Sequence, residues 1–599
     1  MMRMLHVLAI VGGTALVATS GPAFQGSGSI SVGPAREQTS DEQVKHVLNR
    51  LAFGARPGDI ERVRELGVDR WIAQQLEPSR IADSHTERFL ARFGTLTLSV
   101  DELAQQFPPP QVVRAQMRRE MGGGRDAMLS AADSAALKRA GQTSRRLMAD
   151  LQTAKVARAI VTERQLEEVM VDFWQNHFSV FAGKGPERYF LGSYERDVIR
   201  QHALGNFRAM LGAVAKSPAM LYYLDNWQSS VEPNRQALST GSNATSRGSA
   251  NRRAQQRRRP TRGLNENYAR ELLELHTLGV DGGYTQSDVI DVARALTGWT
   301  LDQPRRGGGN GAFVFRANMH DAGEKVVLGH ALKSGRGIED GEEVLDIVAS
   351  HPSTARFIAT KLTRRFVSDD PDSALVARAT ATFIRTRGDI RETARTIVTS
   401  PEFFSRAAYK SKVKSPFELV VSALRAIGAQ PDSTPRTALI VAQLGQPLFL
   451  HQAPNGYPET GEAWINTGAI LNRINFGLAV AGGRVPGASL ESWDESAKLA
   501  SAPREQQVDG VVRTLLGGEA SPDTRRVLLS GVNPLLANAP ADSLVVLGDS
   551  SATMSAHSAL PEELRARKRR GNPLGAPVKL EGLAQLVGLA LGSPEFQRR

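Results

Sequence analysis

Six side chains stand out as candidates to bind a metal or move a proton: His177, Glu271, His276, His320, Asp321 and His451. They come from four separate segments, as the parts of an active site commonly do. The chain has no cysteine, so thiolate nucleophiles and thiolate ligands are excluded, and a metal would need His, Asp, Glu or Asn. A divalent metal held by His177, Glu271, His276, His320 and Asp321 would polarise a substrate or activate water. In such a metal-dependent hydrolase, His177, Glu271 and His451 are the catalytic candidates.

Each candidate also has a structural alternative. At 100° per residue, His177 falls in the middle of an apolar stripe formed by Leu166, Met170, Phe173, Trp174, Phe178 and Phe181. It is therefore buried, either as a hydrogen-bonded core histidine or as a ligand. Glu271 and His276 lie roughly 140° apart on an ideal helix and cannot grip one ion together. Glu271 is the better functional candidate of the two, as partner to an arginine across a helix interface, and His276 is a second semi-buried histidine. His320-Asp321 sits in a predicted hairpin turn, where the Asp-x-Gly of Asp321 and Gly323 is also ordinary turn chemistry. The loop from His451 to Pro458 most resembles a site: Pro454 and Pro458 stiffen it, Asn455-Gly456 turns it, and Trp464 follows. Trp174, Asn455, Tyr457 and Trp464 are the candidates for contact with a partner or for lining a pocket. No Gly-x-Ser-x-Gly elbow, phosphate loop or dinucleotide fingerprint is present.

The elements that must position these residues read as helices. Apolar content is 41% and aromatic content only 6%, and Ala, Leu and Arg dominate the regular segments, which favours helix over sheet. Ser40 with Gln43, Thr285 with Asp288, and Ser415-Pro416 with Glu418 have the spacing of helix starts. Gly461 to Ala481 reads as one helix. Only Phe313–Phe315 and Lys325–Leu328 look like strands, suggesting a single small hairpin. The phrase Ser-Pro-Glu-Phe occurs at Ser400 and again at Ser593, which fits two equivalent helix starts or an old duplication. The expected fold is mainly α: a multi-helix globular array with one small β-hairpin and disordered basic insertions.

Residues 1–23 read as a signal peptide, with Arg3 ahead of an apolar run from Val7 to Ala18 that is too short to span a bilayer comfortably. Residues 24–39 read as a flexible segment, and 40–599 as one large helical domain. An Arg-rich insertion at about 229–263 lacks the apolar residues to order itself. Smaller basic stretches lie at Gln303 to Gly311 and Arg565 to Arg570. The expected location is periplasmic or extracellular, and no later stretch is long and apolar enough to make an integral membrane protein. The formal net charge is +12. For an exported protein that charge points to an anionic envelope polymer rather than to nucleic acid.

Several motifs together give a family resemblance: His46 to Gly54, Phe173-Trp174-Gln175-Asn176-His177-Phe178, Asn265 to Gly279, Tyr284-Thr285-Gln286, Ala295 to Trp299, His320-Asp321 and Pro454-Asn455-Gly456-Tyr457. From about Ser40 onward the chain resembles the bacterial family catalogued as Domain of Unknown Function 1800. The resemblance implies a large exported protein with no established reaction. It also implies a protein partner, because such proteins are often encoded beside a second exported family. The Arg-rich insertion falls between the motifs and looks private to this chain. The first reading is an exported, envelope-associated helical protein that binds a protein partner or an anionic surface polymer. The alternative is the metal-dependent hydrolase with a His/Glu/Asp site, and the sequence leaves open whether the protein is an enzyme.

Overall fold

Side-chain caps set where many of the helices begin. In the computed structural model, which describes residues 36–120, 130–232, 263–302, 311–532, 574 and 580–599, capping boxes open the helices Gln286–Ala295 and Pro416–Ala426. In each, the first side chain accepts a bond from a backbone N–H three residues on, and the acidic residue there bonds back, so two otherwise unpaired donors are satisfied. The first helix, Ser40–Arg50, starts one residue earlier than its sequence suggests. Thr39, not Ser40, is the cap, because Glu42 rather than Gln43 carries the carboxylate that returns the bond at 2.7 Å. The expected helix from Gly461 to Ala481 is interrupted. A single 3₁₀ turn, Gly461–Trp464, comes first, and the helix proper, Thr467–Ala481, is capped by Asn466.

Among the described residues the architecture is mainly helical, with sheet confined to two small antiparallel ladders. Strand β1 (Trp299–Leu301) pairs with β2 (Phe313–Phe315), and β3 (Lys325–Val327) pairs with β4 (His330–Leu332). The two strands expected from sequence are both present, but they do not pair with each other. Each instead takes a three-residue partner too short to show a periodic pattern. The two Ser-Pro-Glu-Phe phrases are turns that follow helices, not helix starts. Ser400 Oγ accepts from Phe403 N at 3.1 Å and Ser593 Oγ from Phe596 N at 3.3 Å, and both phenylalanines are buried. The expected signal peptide at 1–23, the flexible segment up to residue 35, most of the Arg-rich insertion and the basic stretches at 303–310 and 565–570 lie outside the described residues.

One hydrophobic cluster runs from Val44 to Phe596. Through it passes the C-terminal half of the long helix Ala131–Val161, buried on nearly every face from Asp150 onward, as expected of a helix inside a large core. The Gln165–His177 and Pro416–Ala426 helices pack against it. The Thr467–Ala481 and Gly582–Gly592 helices approach so closely that a Cβ on Gly477 would lie 2.6 Å from the Gly588 carbonyl oxygen. No helix among the described residues is long and apolar enough to cross a membrane.

Candidate functional site

Among the described residues the six candidate side chains do not gather into one metal-binding cluster. His177, at the end of the Gln165–His177 helix, and His276 meet where two of the sequence motifs cross. His177 Nε2 lies 3.1 Å from the carbonyl oxygen of His276, and the two rings are 6.4 Å apart. That contact makes Nε2 the donor and leaves His177 Nδ1 without a protein partner, as are both ring nitrogens of His276. Phe178 packs on both rings, at 4.5 Å and 5.1 Å. Burial, followed by the Lys361 charge, pushes the His276 imidazole down to about 3, and burial pushes His177 well below the usual histidine range. Both are neutral core histidines at physiological pH. His276 lies in a π-helical turn, Leu272–Thr277, so the 100° arithmetic fails beyond Glu271. Glu271 itself is only half-buried. Burial, then Glu274, raises its carboxyl.

His320 and Asp321 lie between β2 and β3 rather than in a hairpin turn, and their side chains diverge. His320 Nδ1 donates to Thr297 O at 2.8 Å, and Nε2 faces Asp340 Oδ2 at 3.3 Å. Asp321 accepts from Arg294 Nε at 2.9 Å. Lys325, fully buried, donates to Asp340 Oδ2 at 2.6 Å and to the carbonyls of Asp321 and Gly323. This is a closed network of buried charges, each with a partner, and it pins the two ladders to the Glu339–Ser350 helix. Among the described residues no three His, Asp or Glu side chains come together so as to hold a metal ion.

The fourth segment does form a cleft. Asn176, next to His177 in sequence, mimics a strand edge: its Nδ2 donates to Tyr457 O at 2.8 Å, and its Oδ1 accepts from Tyr457 N at 2.7 Å. The clamp requires Gly456, which has φ +71° and where a Cβ would sit 2.2 Å from the Asn176 carbonyl oxygen. Two motifs distant in sequence are thereby locked together, and the loop's rings are held at the cleft's edge. His451 lies 4.5 Å from Tyr457, and Tyr457 lies 6.0 Å from Trp464. Tyr457 OH donates to Pro447 O at 2.7 Å, and Trp464 Nε1 donates to Pro458 O at 3.2 Å. His451 Nε2 touches Asn455 Oδ1 at 3.3 Å; Asn455 itself is exposed on the outside of the loop. Trp174 is fully buried beneath the site and donates to Ala203 O at 3.0 Å.

The cleft encloses about 100 Å³. Its floor is charged. Lys155 Nζ bonds Asp172 at 2.9 Å and Gln175 Oε1 at 2.5 Å. Arg365 bonds Glu418 at 2.6 Å, and Arg599 bonds the same carboxylate at 3.1 Å. Burial pushes the Glu418 carboxyl up, but Arg599, Arg365 and the Ser415 backbone outweigh it and hold it down at about 2. The two arginines thus face a permanent carboxylate at the bottom of a cleft whose lip is aromatic.

Sequence reasoning found the lip and missed the floor. Tyr457 and Trp464 stood out in a stiff loop. Lys155, Asp172, Arg365, Glu418 and Arg599 sit on different elements with no shared motif. The signal that could have found Lys155 is its setting, a cation flanked by Ala154 and Val156-Ala157 near the apolar end of a long helix. A family model described as Protein of unknown function (DUF1800) matches residues 46–598. The chain matches no curated protein and no solved structure.

Proposed function

The chain belongs to the DUF1800 family, whose function is unknown, and from that premise we propose that it is an exported protein that holds an anionic envelope polymer in this cleft. One observation carries the reading. The rings of His451, Tyr457 and Trp464, tilted 51° and 43° from one to the next, line the same cleft as Lys155, Arg365 and Arg599. Aromatic rings offer the flat apolar faces of sugar rings a stacking surface, while side-chain amides such as Gln175 and Asn176 at the same cleft suit hydroxyls. Cationic side chains beneath suit an acidic substituent. The net charge of +12 would draw a polyanion toward the protein. The basic start and apolar run between Met1 and Ala18 support export. The metal-dependent hydrolase comes second because, among the described residues, no three His, Asp or Glu side chains gather to hold an ion.

The test is titration of the purified protein with a polyuronate, a phosphorylated mannan and a neutral mannan, followed by tryptophan fluorescence. Binding of at least one anionic polymer, weakened by salt and about tenfold by Trp464→Ala, is expected. No binding of either anionic polymer, or binding indifferent to Trp464→Ala, would overturn the reading. If a co-purifying exported protein bound with the same dependence on Trp464 instead, the occupant would be a protein partner.

A further inference from the structure

Under the cleft, cationic side chains outnumber the carboxylates that face them. Arg50, Arg365, Lys412, Lys414 and Arg599 share one electrostatic neighbourhood with Glu418, Asp369 and Asp172. With both lysines protonated the excess is two side-chain charges, and Asp172 is shared with Lys155. Several of these cations are out of water: Arg50 is 0% exposed, Lys412 2% and Arg599 4%. Their hydrogen bonding is also incomplete. Arg50 uses only Nη2, on Ala408 O and Ser411 Oγ, leaving Nε and Nη1 with no protein partner. Arg599 bonds Glu418 and the Arg365 carbonyl and likewise leaves Nε and Nη1, while Arg365 leaves Nε. Buried guanidinium groups are normally paired and saturated. Five guanidinium nitrogens on these three arginines thus have no protein acceptor, and Arg365 and Arg599 line the cleft.

We propose that the floor of the cleft is an oxyanion site, in which a phosphoryl or sulfuryl group seats against Arg365 and Arg599 and is further neutralised by Arg50, Lys412 and Lys414 behind them. The proposal rests on the cleft being the ligand site, and it names the acidic substituent. A tetrahedral dianion fits better than a carboxylate for two reasons. A single carboxylate removes one charge of the excess, and a dianion removes two. Arginine forks from two directions also match a phosphate's several oxygens. The lysines behind agree: burial, followed by the Arg599 charge, pushes Lys412 down to about 8, and burial pushes Lys414 down to about 7 despite Glu418.

The intact protein is titrated calorimetrically at pH 7 and constant ionic strength with inorganic phosphate, inorganic sulfate and glucuronate. Saturable binding of phosphate or sulfate near one equivalent is expected, with a Tm that rises relative to matched chloride. Affinity should fall at least tenfold in Arg365→Lys, which keeps the charge but loses the fork. Arg599→Gln is the second variant, with circular dichroism to check that each folds. Absence of saturable phosphate and sulfate binding by the wild-type protein overturns the proposal. So does tighter binding of glucuronate, or unchanged phosphate affinity in both folded variants. Phosphate binding with no polymer binding supports the oxyanion site with free phosphate as its source, and it is the polymer reading that then fails. Preference for the phosphorylated mannan over the polyuronate supports a phosphoryl group on the polymer as the source.

Discussion

A histidine at the centre of a helix's apolar stripe has to give up either its charge or its burial, and in this protein it gives up the charge. His46, His177 and His276 are each at most 2% exposed, and burial holds all three below the usual histidine range. The unfolded chain takes up these protons near the ordinary value of about 6.5, while the folded chain refuses them until far lower, about 3 for His276. Between those values the unfolded state binds more protons, so stability falls as pH falls through 6.5. Each such histidine contributes up to about 1.4 kcal/mol per pH unit in that window. Replacing His276 with leucine should therefore lower that slope by up to about 1.4 kcal/mol per pH unit between pH 6.5 and 4.5. Urea unfolding of both proteins at pH 7, 5.5 and 4.5 measures it, and equal slopes would show that His276 is protonated in the folded state. The sequence pattern already placed His177 in the core. It could not show that the carbonyl of His276 would be the partner, because that depends on how two helices cross.

At the scale of elements, the legible parts are those decided within a few residues. Thr285 with Asp288 and Ser415 with Glu418 were readable because capping is a local exchange of hydrogen bonds. The break at Asn466 inside the expected Gly461–Ala481 helix was not, since Ile465 and Ile470 keep an apolar pattern across it. Strands of three residues such as Trp299–Leu301 and His330–Leu332 carry no usable period either. The cleft floor was hidden for a different reason: ion pairing between helices leaves no trace in spacing. Glu418 joins the two scales. It returns the capping bond to Ser415 N at 2.9 Å, and it receives Arg365 and Arg599. Ser415→Ala removes one of the two capping bonds and should destabilise the protein by about 1 kcal/mol. Because the cap also fixes Glu418, it should weaken phosphate binding as well. Chemical denaturation beside phosphate calorimetry separates the effects, and a stability loss with unaltered phosphate affinity would confine Glu418 to capping.

A chain of 599 residues is long enough that its size alone predicts division into domains, since single cores rarely grow beyond about 250–300 residues. Contacts nevertheless join distant parts of the chain. Gln38 N donates to Phe404 O, and Lys412 and Arg599 exchange backbone hydrogen bonds. Arg50 of the first helix lies in the field of Arg599 and Glu418. The proposed anion site thus draws on both ends of the described chain and on its middle. The hydrophobic cluster that contains Val44 also contains Phe596. Such a molecule should unfold as one unit. The tryptophans are well placed to report on this, because Trp71, Trp174, Trp299 and Trp493 are buried in widely separated parts of the chain. Urea transitions followed by tryptophan fluorescence and by far-ultraviolet circular dichroism should coincide, with a midpoint that rises together in both signals when phosphate is added. Separate transitions, with phosphate moving only one of them, would mean that the anion site belongs to a unit that folds without the rest.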